Sequence, residues 1–106
     1  MVYEIHTTEI IGGKDGSVPI VSCDSKGDGI AKFKDTVRQY SEQMASPIIR
    51  FTGAHVEIYL FECKHMMDTG DEIGRATVKR PLHSPKPAVW ISFDGDTMKE
   101  IDVDDL

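Results

Sequence analysis

A chain of 106 residues with 40 % apolar and 28 % charged side chains has the make-up of one soluble globular domain, neither disordered nor repetitive. No apolar run approaches the ~20 residues of a membrane-spanning helix, and the opening Met-Val-Tyr-Glu-Ile-His lacks the basic start of a secretory signal. A net charge of −6 argues against general adhesion to nucleic acid or anionic lipid; Cys23 and Cys63 set no disulfide framework and read as reduced thiols of a cytoplasmic protein.

Tyr3 to Ile11 and Val18 to Cys23 are β-prone runs, joined through Gly12-Gly13-Lys14-Asp15-Gly16, where glycine supplies positive φ. Ile30, Phe33, Val37, Tyr40 and Met44 then recur at steps of three and four, the stripe of an amphipathic helix. Ser25 with Asp28 can cap its start, and Pro47 ends it by biasing Ser46 out of the helical region. Ile48 to Thr52, His55 to His65, Arg75 to Arg80 and Ala88 to Phe93 read as further strands. Gly53-Ala54 marks a bend, and the loop holding Pro81, Pro85 and Pro87 stays out of the ladder. Asp94-Gly95 is a two-residue hairpin signal, after which Met98 to Val103 pairs back.

Short turns make antiparallel neighbours, and one helix covers one face. The expected fold is α+β in the order ββαββββ(β). One amphipathic helix packs on a bent, mostly antiparallel sheet of six or seven strands, in a single domain over residues 1–106 with a short acidic segment at 94–106. In the run from His55, Val56, Ile58 and Leu60 point one way while Tyr59, Phe61 and Cys63 point the other. Either the sheet curls into a barrel with a second core, or part of that second face is left for a partner or a second copy.

Several patterns carry chemistry. Asp68-Thr69-Gly70, behind Met66-Met67, is similar to the tripeptide of retroviral-type aspartic proteases, where two chains pair to share one proton between carboxylates; a hairpin loop joining two strands fits the flanks better. Asp24 to Asp35 resembles a calcium loop, yet Lys26 stands where a carboxylate belongs and a strand, not a helix, precedes it. His55, Cys63 and His65 share a strand face and are a candidate zinc set, with edge histidines and a buried thiol as the alternative. Glycine-rich phosphate loops, a nucleophile elbow and a Walker lysine are absent. A small zinc-dependent or aspartyl enzyme thus stays one alternative, and no cofactor is implied.

Charge is the stronger signal. Asp94, Asp96, Glu100, Asp102, Asp104 and Asp105, offset by Lys99 alone, hold most of the net negative charge, whereas residues 73–92 carry Arg75, Lys79, Arg80 and Lys86 with no acid. The reading is a non-enzymatic, regulatory protein-binding module whose acidic surface meets a basic partner. Trp90, Tyr59 and Phe61 serve as apolar anchors. A nucleic-acid-binding partner would make the chain an inhibitor, its carboxylates standing in for phosphates. The second reading is a single-stranded nucleic-acid-binding protein, with Arg75, Lys79, Arg80 and Lys86 along the phosphates and the aromatics stacking on bases. Here the acidic end resembles the tails of single-strand-binding proteins.

Overall fold

The stripe from Ile30 to Met44 forms a helix, α1 (Lys26–Met44), in a computed structural model that describes residues 1–11, 14–45, 54–65, 70–81 and 86–106. Ser25 is its N-cap, in extended conformation, and the Ser25 hydroxyl accepts from the Asp28 N–H at 3.1 Å, satisfying one of the orphan donors of the first turn. At the other end the Arg80 guanidinium donates to the Met44 carbonyl at 3.0 Å. Pro47, the expected stop, lies outside the described residues, as does the expected strand Ile48 to Thr52.

Among the described residues seven strands form one open, wholly antiparallel sheet: β1 (Val2–Ile11), β2 (Lys14–Ser17), β3 (Val21–Cys23), β4 (His55–Cys63), β5 (Asp71–Lys79), β6 (Ala88–Phe93) and β7 (Lys99–Ile101). β2 and β3 share the outer edge of β1, and β4, β5, β6 and β7 follow in turn on its other side. The sheet is therefore six positions wide, and the α+β expectation holds, with an open sheet rather than a barrel.

Several elements differ from the sequence reading. β4 ends at Cys63 rather than His65, and the last strand spans Lys99–Ile101 rather than Met98 to Val103, with Val103 in a 3-10 turn. The run from Val18 to Cys23 is not one strand. Lys14 to Ser17 pairs with β1 first, Val18 to Ile20 leaves the ladder, and Val21 to Cys23 rejoins it. Pro19 has no N–H to donate, which is sufficient cause for the interruption. β5 also starts at Asp71 rather than Arg75, because a bulge opposite Leu60/Phe61 inserts Ile73 and hides the period-two pattern. The Asp94-Gly95 turn is as expected: φ is 53° and 79°, and the Asp96 N–H donates to the Phe93 carbonyl at 3.1 Å.

The core lies between α1 and one sheet face. Val56, Ile58 and Leu60 of β4 are 0 % exposed there, flanked by Ile5, Ala76, Val78 and Val89. Phe33 reaches in from the helix and meets Phe93 edge-on at 5.7 Å. Helix and sheet come close enough that a Cβ on Gly29 would sit 2.9 Å from the Cβ of Tyr3. Gly29→Ala gains up to ~1 kcal/mol of helix propensity but forces an overpacking cost of roughly 1–3 kcal/mol. The expected net result in urea denaturation is a loss of ~1–2 kcal/mol. Gly27→Ala is the control: nothing lies within 4 Å of its Cβ, so it should gain ~0.5 kcal/mol.

Tyr40, on the same helix, donates its hydroxyl to Glu9 of β1. Burial first, then the Glu9 hydrogen bond and charge, push its phenol well above the ordinary value. The native state therefore holds this proton more tightly than the unfolded chain. That contribution is complete below pH ~10 and is lost as pH rises toward the folded value. Tyr40→Phe should lower stability at pH 7 by ~1 kcal/mol and flatten part of its decline above pH ~10, read by urea melts at each pH.

Candidate functional site

Alternation along the strands sends every second side chain to the face opposite α1; no described helix or strand packs across its middle, while at one end Gly70 lies against Cys63, and Glu4 and Cys63 are buried there. The pairing register arranges it in rows that run across the strands. Glu4, Phe61 and Glu72 form the first row. His6, Tyr59, Arg75 and Ser92 form the second. Thr8, Glu57, Thr77, Trp90 and Glu100 form the third. Asp15, Ile10, His55, Lys79 and Ala88 form the fourth. From β4 to β7 the fixed charge alternates from row to row: acidic, basic, acidic, basic.

Aromatic rings bind the middle of this face together. His6 meets Phe61 edge-on at 4.9 Å, and Phe61 stacks with Tyr59 at 6.1 Å. Arg75 lies 5.3 Å from the Tyr59 ring centre, and Lys79 lies 5.9 Å from that of Trp90, within cation–π range. Tyr59 donates to Glu57 at 2.9 Å; burial, then that hydrogen bond and charge, push the Tyr59 phenol up. Glu72 accepts from Arg75 at 2.9 Å, and this hydrogen bond with its charge raises the guanidinium further. Tyr59, Phe61 and Trp90 are each half-buried, so the three anchors read from the sequence are brought onto one face and partly exposed.

The acidic segment is anchored rather than trailing. Ile101, Val103 and Leu106 pack against the core cluster, and Arg38 of α1 donates to the Leu106 oxygen at 2.7 Å. A 3-10 turn spans Val103–Asp105, capped by the Asp102 side chain, which accepts from the Asp104 N–H at 3.0 Å. Between these anchors Asp94, Asp96, Glu100, Asp102, Asp104 and Asp105 are all exposed, and among the described residues none of the six forms an ion pair. Glu100, Asp102 and Asp104 line a groove with Glu42 of α1 and Lys86.

The basic residues do not run as one track. Arg75 and Lys79 stand on the open face, Arg80 turns to the end of α1, and Lys86 sits beside the acidic groove. Lys79 and Arg80 are sequence neighbours on a strand end, so alternation alone sends them apart.

The candidate zinc residues are not assembled. His55 and Cys63 occupy opposite ends of β4, and His65 is exposed beyond the strand. Among the described residues no three His, Cys, Asp or Glu side chains are placed to hold a metal ion. Asp68 lies outside the described residues. The calcium-loop reading fails because α1 already begins at Lys26, placing Asp28 and Asp35 on helix.

Sequence reasoning missed one cluster. Glu4, 2 % exposed, has a carboxylate oxygen 3.2 Å from His6 Nε2 and 3.8 Å from the Cys63 sulfur. Here the carboxylate, not the imidazole, touches the thiol, and Cys63 is 1 % exposed, so the arrangement offers no attacking nucleophile. The alternation of Glu4 with His6 on a strand could have signalled it.

Comparison with known proteins finds no matching family model, curated protein or solved structure. No described helix is long and apolar enough to cross a membrane.

The Arg38–Leu106 contact gives a direct check on anchoring. Arg38→Gln should raise amide exchange of residues 99–106 by about tenfold, while leaving β4 and β5 unaltered in hydrogen-exchange mass spectrometry.

Proposed function

We propose that this chain is a small protein-binding module, regulatory rather than catalytic, that docks its acidic edge on a partner with a basic surface. One observation carries the reading: six exposed carboxylates, none in an ion pair among the described residues, sit on a segment whose apolar residues are fixed to the core. Exposed acids keep their field for a partner and raise the encounter rate. A segment already ordered loses less entropy on binding than a free tail would. A nucleic-acid-binding protein is a partner of this kind, since carboxylates can stand in for phosphates, and the chain would then inhibit it. Free Cys23 and Cys63 fit a cytoplasmic setting.

Mixed charge on the aromatic face supports the protein reading over nucleic acid. Glu72 already engages Arg75, and Glu57 and Glu100 stand on the same surface, where a phosphate backbone would meet repulsion.

The test compares the native chain with a variant carrying Asp94→Asn, Asp96→Asn, Glu100→Gln, Asp104→Asn and Asp105→Asn, sparing the Asp102 cap. Proteins captured from cells by the native chain should be lost with the variant and on raising salt from 0.05 to 0.5 M. Association rates with a purified captured partner should fall roughly tenfold or more in the variant. Capture indifferent to both changes would refute the reading. Binding of a labelled single-stranded oligonucleotide at low salt, strengthened by the same neutralisation, would transfer it to nucleic acid.

A further inference from the structure

The charge rows of the open face have a symmetry that selects an occupant. From β4 to β7 they run acidic, basic, acidic, basic, about 7 Å apart along the strands. A second copy can be turned over this face about a two-fold axis that runs across the strands, between the Arg75 row and the Glu57 row. The rows then meet in reverse order. The Glu72 row faces the Lys79 row of the other copy, and the Arg75 row faces its Glu57 row. Turning about an axis along the strands would instead set like rows on like rows.

We infer that the chain forms a two-fold dimer through this face, sheet on sheet, with its axis across the strands. This deepens the reading of the chain as an interaction module and rests on it only in taking the open face as a contact surface. An isologous interface requires a self-complementary patch, and this pattern is complementary to itself in one orientation only. The aromatic band of Phe61, Tyr59 and Trp90, half-buried in one copy, supplies the apolar centre that such a contact needs. Aligned sheets pack about 10 Å apart with a crossing near −30°, so the match is tightest beside the axis, where Arg75 and Glu57 stand. The same axis brings the two β7 edges to one side, and the dimer presents paired acidic edges to a basic partner.

The test uses the purified full chain in sedimentation equilibrium, with Trp90 emission as a second readout. The native chain should reach dimer mass, its emission shifting to the blue as it associates. Lys79→Glu and Glu72→Lys, both at exposed positions where circular dichroism can confirm folding, should each weaken the dimer by about tenfold or more. An equimolar mixture of the two variants should recover near-native affinity as a heterodimer, because opposite rows then meet again. A native chain that stays monomeric at ~1 mM, weaker than any specific dimer, would overturn the inference. So would a dimer that ignores both reversals, or variants that fail to pair in the mixture. Dimerisation without capture of a basic partner would refute the proposed function and leave the dimer standing; capture by a strict monomer would do the opposite.

Discussion

One helix cannot cover two faces of a sheet, and the rest of this molecule follows from that constraint. α1 has 19 residues, a length of about 28 Å, and its entire apolar stripe goes to one side. On that side β4 contributes Val56, Ile58 and Leu60 with no exposure at all. The alternate residues of the same strand, Tyr59 and Phe61, are left half-covered. Large aromatic rings at such positions would be a liability on a solvated face, and the polar groups set around them temper it. The Tyr59 hydroxyl finds Glu57, and Arg75 lies over its ring. Lys79 does the same for Trp90.

The helix and its N-cap were legible in the sequence because both are local: five apolar positions at helical spacing, and one serine three residues before an aspartate's amide. Strand identity was legible where alternation was clean, in β1, β4 and β6. It failed where backbone chemistry broke the pattern. Pro19 removed a donor from what looked like one apolar run, and the bulge at Ile73 shifted the phase of β5. The anchoring of the acidic segment had a signal that charge masked: Ile101, Val103 and Leu106 punctuate the acids and pack on the core. The row pattern of the open face had none. Glu57, Arg75, Trp90 and Glu100 come from four strands, and only the register of three pairings brings them side by side.

Electrostatics on this chain thus works at two ranges. On the open face, opposite charges alternate within a few ångströms, so their fields cancel at a distance and act only on a surface in contact. From the turn after β6 to the 3-10 turn, six like charges, none in an ion pair among the described residues, add, and their field reaches out to about a Debye length, ~8 Å at physiological salt. The first kind of surface discriminates by fit; the second gathers by attraction. Glu100 belongs to both, since it faces Trp90 across the ladder and also lines the acidic groove.

The interrupted border at Pro19 has a consequence for aggregation. Among the described strands, one margin of the sheet is β2 and β3, split by three residues outside the ladder, and the other is β7, three residues long with acids on either side. Neither offers the long, uncharged row of amides and carbonyls that templates a growing fibril. Strand-on-strand growth at these described margins is disfavoured for that reason.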